Sequence, residues 1–125
     1  MAMTYTQRHS VKWAKPTSVP ATTSPSVPDL AWAAGFLEGE GNFSVNNRKL
    51  PKKSISQVVR ATQKNLEPLF RLQRLFGGTI TTARKDGYGE WRTYGGRARG
   101  IMLTMFTFLS AKKRADIRLA LMGGY

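Results

Sequence analysis

Glu38 and Glu40 stand in the run Ala33-Ala-Gly-Phe-Leu-Glu-Gly-Glu-Gly41, where a short apolar helix reaches its end. The last turn of a helix carries partial negative charge and carbonyls without intrahelical donors, so carboxylates there repel it unless a cation intervenes. Carboxylate together with free backbone carbonyl is the all-oxygen set that Mg2+ or Ca2+ takes. The plainer alternative is a glycine-capped helix end with two solvated glutamates. Charge separates the two. The chain of 125 residues has 20 Lys plus Arg against 7 Asp plus Glu and a formal charge of +13, which points to a polyanionic partner. Residues 29–125 keep 17 of those cations beside all 7 acids. An acid pair inside that surplus would be unusual on a protein that merely coats nucleic acid, whereas a metal held beside bound phosphate would use it.

The same composition closes other routes. With no cysteine there is no disulfide framework, zinc finger, iron–sulfur cluster or thiol nucleophile. His9 is the only histidine and lies in the N-terminal segment, which leaves no Ser-His-Asp or Cys-His triad. The longest apolar run, 101–109, falls well short of the roughly 20 residues of a membrane span and suits a buried helix. A protein of the cytoplasm (bacterial or phage) or of an organelle is expected, without secretion signal, membrane contact or small-molecule substrate.

The elements that must hold these groups follow from the periodicities. Residues 1–28 carry four of the six prolines, many Ser and Thr and no acid, and read as a flexible basic tail. A transit peptide or an arm tracking DNA shares that composition. A domain over 29–125 begins where Asp29 can cap a first helix, with Leu30, Ala33, Ala34, Phe36 and Leu37 as its small and apolar residues and Gly39 and Gly41 as its stop. Residues 41–49 then alternate, Phe43 and Val45 against Ser44, Asn46 and Arg48. Residues 54–63 do the same, Ile55, Val59 and Ala61 against Ser54, Ser56, Arg60 and Thr62, so two strands form a hairpin about Pro51. Asn65 is placed to cap a second helix with Leu66, Leu69, Phe70, Leu72 and Phe76 at helical spacing, ended by Gly77-Gly78. Residues 79–84 and 91–94 make a second hairpin, 95–100 a turn, and 101–121 helix with a break near Ser110. The order helix, hairpin, helix, hairpin, helices predicts an α+β domain. Its single antiparallel four-stranded sheet is covered by helices on the apolar face and open on a basic one.

Four segments carry a likeness to a known family. Ala33 to Gly41 resembles the LAGLIDADG motif of homing endonucleases, with Glu40 at the position of the metal-binding acid. Ala61-Thr-Gln-Lys64 resembles the end of that family's second strand, Leu66 to Gly78 its second helix, and Phe108 to Ala115 its final basic segment. Their order along residues 29–121 is more specific than the motif alone. The resemblance implies a saddle-shaped sheet on double-stranded DNA, with Glu40 and the Gly39 carbonyl as ligands of a divalent metal. That metal would be Mg2+, with Ca2+ as a substitute that supports binding without cleavage. It further implies Gln63 as the residue positioning water, and Lys112 as the active-site lysine with Lys113 as the alternative. Glu38 matches the other motif acid, a structural one in the family. Glu stands at Glu40 where the family more often has Asp. Water would attack the scissile phosphorus in line, while metal and lysine neutralise charge growing on the phosphate and the leaving 3′ oxygen.

A chain with one motif supplies one acid, and cutting both strands takes two. The resemblance therefore implies a homodimer joined through Ala33, Ala34, Gly35 and Gly39 of the first helix. On the polar strand faces Ser44, Asn46, Arg48, Ser56, Arg60, Thr62 and Thr81 would read the major groove, with Arg92 a further candidate. Lys49, Lys52, Lys53, Arg84 and Lys85, in turns, would hold phosphates. Trp91 and Tyr94 are expected in the core or as sheet cover. The expected activity is site-specific double-strand cleavage of a long pseudo-palindromic DNA target, as in intron homing. The alternative is the same fold without cleavage, as an RNA splicing maturase or a DNA-binding regulator.

Overall fold

Ser26, three residues ahead of the expected cap, opens the first helix. Its hydroxyl accepts the Asp29 backbone N–H at 3.2 Å while the Asp29 carboxylate accepts the Ser26 N–H at 3.0 Å, a reciprocal pair that satisfies two otherwise orphaned donors. Asp29 is therefore the third residue of helix α1 (Val27–Glu40) and not its cap, because Pro28, whose fixed φ suits a first turn, lets the helix begin upstream. In this computed structural model, which describes residues 17–48, 54–82 and 85–123, α1 runs through Gly39 and stops at Gly41. Gly41 is extended, with φ −85°, and gives its N–H to the Leu37 carbonyl. A Cβ there would lie 2.6 Å from that same oxygen, so only glycine lets the chain leave the helix so sharply.

Strands β1 (Gly41–Arg48) and β2 (Ser54–Gln63) pair antiparallel, Gly41 opposite Ala61 and Arg48 opposite Ser54. Helix α2 (Glu67–Phe76) follows. The cap position is Leu66 and not Asn65, which stands one residue earlier and accepts the Glu67 N–H at 3.1 Å, and Gly77 ends the helix at φ +75°. Strands β3 (Thr79–Thr81) and β4 (Gly89–Tyr94) form the second hairpin, and β4 also pairs with β2, giving the antiparallel order β1-β2-β4-β3. Residues 95–100, expected as a turn, are instead the first half of helix α3 (Gly95–Met105). Ala98, Ile101, Met102 and Met105 are all buried at helical spacing, so the apolar stripe reaches upstream through the glycines. Its burial outweighs the ~1 kcal/mol that each interior glycine costs. A 3-10 turn (Phe106–Phe108) leads to Ser110, whose hydroxyl accepts the Lys113 N–H and begins helix α4 (Ala111–Leu121).

All four helices pack on one face of the sheet. Phe43, Val59, Ala61 and Trp91 meet Ala33, Ala34 and Leu37 of α1, Leu69 and Leu72 of α2, the α3 stripe, and Ile117 and Ala120 of α4. Fully buried, Trp91 donates through Nε1 to the Gly77 carbonyl at 2.9 Å. Gln57, buried on the same face, donates to the Ala120 carbonyl at 3.0 Å and accepts from Arg99 at 2.8 Å, fastening α4 and α3 to β2. The architecture is thus the expected α+β order with one four-stranded antiparallel sheet.

Part of the segment expected as a tail contacts the domain. Val19 exchanges two backbone hydrogen bonds with Gly78, at 3.0 and 2.8 Å, and the Thr22 N–H donates to the Arg74 carbonyl at 2.9 Å. The last carbonyls of α2 lack intrahelical donors, and this strap supplies them. Residues 1–16 lie outside the described residues. Among the described residues no helix is long and apolar enough to cross a membrane.

Candidate active site and nucleic-acid interface

Direct cross-strand partners share a sheet face, so the register defines the face turned away from the helices rung by rung. Thr62, Glu90 and Thr81 form one rung; Asn42, Arg60, Arg92 and Thr79 the next; Ser44, Val58 and Tyr94 a third; Asn46 and Ser56 a fourth. Of the expected DNA-reading residues, Ser44, Asn46, Ser56, Arg60, Thr62, Thr81 and Arg92 share this face. Arg48 ends β1, with its backbone opposite Ser54. Tyr94 covers the face, while Trp91 is in the core. Lys85 is exposed in the turn between β3 and β4. Lys49, Lys52, Lys53 and Arg84 lie outside the described residues. Asn42, Thr79 and Glu90 were missed. Stepping the two-residue period back from Asn46, and from Arg92, would have found Asn42 and Glu90.

Helix α1 carries Glu40, its last residue, to the edge of this face. A pocket of about 290 Å³ there is lined by Glu40, Asn42, Arg60, Ala61, Thr62 and Glu90. Glu38, two residues earlier in the helix, does something else. Its two carboxylate oxygens accept the Ser110 N–H at 2.8 Å and the Ser110 hydroxyl at 2.7 Å. The hydroxyl first, then the backbone N–H, holds the Glu38 carboxyl below its ordinary pKa. Glu38 thereby ties the end of α1 to the start of α4.

The Ser110 cap fixes the phase of α4, and the phase separates the two candidate lysines. Lys113 shares the inward side with buried Ile117 and Ala120 and donates through Nζ to the Gly41 carbonyl at 2.6 Å. Lys112 stands on the outward side, 83% exposed, with its ammonium 3.8 Å from Asp116. The structure therefore brings Lys113, and not the preferred Lys112, beside the end of α1. Gln63 ends β2 opposite Gly89, and its carboxamide oxygen accepts the Lys64 N–H at 3.2 Å. It is not among the residues lining the pocket.

The expected small-residue interface divides. Ala33 and Ala34 are buried in the chain's own core, 0% and 4% exposed, and have no surface to offer a second copy. Gly35 and Gly39 are exposed, and a Cβ on either would meet nothing within 4 Å. Exposed Ala31 continues them at a spacing of four, so the open stripe of α1 is Ala31, Gly35 and Gly39. Beside it Trp32 stacks on Phe36, centroids 5.5 Å apart, and Arg71 lies over the Trp32 ring at 4.0 Å.

The profile of the LAGLIDADG endonuclease family matches residues 33–115. An intron-encoded DNA endonuclease of Dictyostelium discoideum is 34% identical over 68 residues, covering 53% of this chain; the match spans 26% of that relative's length. Among solved structures, the homing endonuclease I-CvuI in complex with its target in the presence of Ca is similar with a TM-score of 0.63 and 25% identity, over 78% of this chain and 68% of that one. I-SmaMI bound to uncleaved DNA target in the presence of calcium ions gives 0.63 and 25%, over 78% and 36%. I-CeuI complexed with DNA gives 0.62 over 80% and 57%, and at 15% identity shares the fold alone. This chain belongs to the LAGLIDADG endonuclease family.

Proposed function

We propose that the protein is a site-specific double-strand DNA endonuclease that works as a homodimer with a divalent cation, in the cytoplasm or organelle that holds its target DNA. One observation carries the reading: Glu40 and the open sheet face meet in a single pocket with Asn42, Arg60 and Thr62. An exposed acid at a helix end beside the open face of so basic a chain supports a role in chemistry on phosphate. Among the described residues no three His, Cys, Asp or Glu side chains gather to hold one ion within the chain. The donor set fits a hard cation, since the Glu40 carboxylate is exposed at a helix end and the Gly39 carbonyl belongs to the same turn. Those two groups would hold Mg2+ for cleavage or Ca2+ for binding alone. A bound ion of this kind supplies Lewis-acid polarisation of a phosphate oxygen and neutralises developing charge.

The chain's own residues do the rest. Arg60 and the polar rungs orient the duplex across the sheet. Lys113, anchored on the carbonyl next to Glu40, is proposed to neutralise charge on the phosphate in the place first offered to Lys112. Gln63 is proposed to position water at the end of β2. The basic turn residues Lys49, Lys52, Lys53, Arg84 and Lys85 are proposed to hold phosphates.

Selection of cleaved sites from a randomised duplex library with Mg2+ tests the activity and yields the target. On that target Glu40→Gln is expected to lose cleavage by orders of magnitude while retaining affinity, because binding rests on the sheet. Normal cutting by Glu40→Gln protein overturns the assignment of Glu40. Tight, specific binding by wild-type protein with no cutting in Mg2+ replaces the endonuclease reading by that of a splicing maturase or DNA-binding regulator.

A further inference from the structure

On the open face, Glu90 stands between two arginines. Its carboxylate accepts two hydrogen bonds from Arg92 Nη2, each 3.0 Å, and lies 3.9 Å from Arg60 Nη1. The arginines differ in what they have left to give. Arg92 commits Nη2 to Glu90 and Nη1 to the Tyr94 hydroxyl at 3.1 Å, and its Nε is buried without a partner. It is fixed against the sheet and has no free pair of N–H groups for a base. Arg60 is the freer of the two: its side chain is 46% exposed and its contact with Glu90 is a loose ion pair. Glu90, 16% exposed in its side chain, lines the pocket with its carboxylate orientation set by Arg92. The surface therefore shows an available donor group beside an oriented acceptor.

We propose that Arg60 and Glu90 form one reading unit for a single G·C base pair in the major groove, with Arg92 and Tyr94 positioning Glu90. The inference rests on the DNA-binding reading above and assigns Glu90 a role in it. Guanine presents the acceptors N7 and O6, and the cytosine beside it presents the N4 amino donor. An arginine followed by a carboxylate complements that sequence of acceptor, acceptor, donor. Arg60 alone would favour guanine. Glu90 adds an acceptor for cytosine N4 and, at the same point, repels any base edge that offers another acceptor, so it discriminates by penalty as well as by contact. Neutralising the directly opposed arginines Arg60 and Arg92 is a second effect of the same carboxylate. Neutralisation alone predicts a different outcome, because it acts on every DNA sequence alike.

The test is a binding selection from a randomised duplex library in Ca2+, run on wild-type protein, Glu90→Gln, Glu90→Asp and Arg60→Ala, each with a thermal melt. Wild-type protein is expected to select G·C at one position of each half-site. Glu90→Gln is expected to lose roughly 5- to 150-fold of the preference at that position alone, with non-specific affinity raised because a carboxylate has left the DNA-facing surface. Arg60→Ala is expected to lose preference at the same base pair. Glu90→Asp keeps the charge but withdraws the oxygens by a methylene, so it too is expected to lose preference there, and it carries the test if Glu90→Gln fails to fold. An unchanged base profile in folded Glu90→Gln or Glu90→Asp protein, whether or not affinity shifts over all sequences, or an A·T preference at the affected position overturns the inference while leaving the endonuclease reading intact. A wild-type protein that selects no sequence defeats the endonuclease reading and this inference with it.

Discussion

Lys112 and Lys113 are neighbours in the chain and point to different sides of one helix. Removing a well-placed stabiliser of transition-state charge costs on the order of 100-fold or more in rate. Lys113→Met is therefore expected to lower single-turnover cleavage of the selected site by about that factor, and Lys112→Met by no more than a few-fold. The reverse pattern would return the role to Lys112. The inward side of Lys113 was legible in the sequence, because Lys113, Ile117 and Ala120 follow helical spacing, but only once Ser110 is known to start the helix. Glu40 needed no such knowledge; charge of the wrong sign at a helix end is visible from residue types alone. Glu90 was legible two residues back from Arg92; what the sequence did not show is its neighbourhood to Arg60, which depends on the pairing of β4 with the distant β2. Glu38 makes a separate prediction. Hydrogen bonds from Ser110 hold its carboxyl below the ordinary value of 4.5, so its stabilising contribution is present above that pH and is lost as pH falls through the lower folded value. Wild-type thermal stability is expected to drop on acidification below pH 4.5, and Glu38→Gln to flatten part of that drop. An identical pH profile in Glu38→Gln would show that the Ser110 contact contributes nothing.

Helix α3 is the element the sequence hid most thoroughly. Gly95-Gly-Arg-Ala-Arg-Gly100 has the glycine density of a turn, and the local preference loses to Ala98, whose burial extends the stripe of Ile101, Met102 and Met105. The strands were easier, because alternation over eight or more residues survives any tertiary context; β2 spans 54–63, the range its pattern indicates. The conflict at α3 leaves a stability increment unused. Gly100 lies inside the helix, and a Cβ there would meet nothing within 4 Å. Gly100→Ala is expected to stabilise the protein by about 0.5–1 kcal/mol, through the lower entropy of the unfolded chain and better helix propensity. A chemical denaturation midpoint equal to or below that of wild type would contradict the reading of α3 as a regular helix. Gly41→Ala is the opposite case. Its Cβ would press 2.6 Å from the Leu37 carbonyl and 2.9 Å from Leu37 Cβ, and the residue that must shift to relieve it also accepts the Lys113 bond. Loss of cleavage out of proportion to loss of affinity is expected there.

Across the whole molecule, one chain presents one Glu40, one open sheet face and one stripe of small exposed residues, Ala31, Gly35 and Gly39, along α1. Joining two stripes about a two-fold axis would bring two helix ends together and set two sheets side by side, so the target should repeat its half-sites in inverted order. The burial of Ala33 and Ala34 sharpens the test of this arrangement. Substituting those alanines would damage the core and say nothing about association. Gly35 is different, because it is exposed and a Cβ added there would meet nothing within 4 Å, so Gly35→Leu is aimed at a partner surface and not at the core. Gly35→Leu protein is expected to keep the wild-type melting behaviour as a monomer. It should fail to sediment as a dimer on the target and lose double-strand cleavage, while half-site binding survives weakly because it rests on one sheet. Nicking of single strands by the variant would fit the loss of paired active sites. Wild-type protein that stays monomeric on DNA it cleaves on both strands, or a Gly35→Leu variant that cuts both strands at the normal rate, would break the two-fold architecture. The fold would survive that result, since it stands on contacts within a single chain.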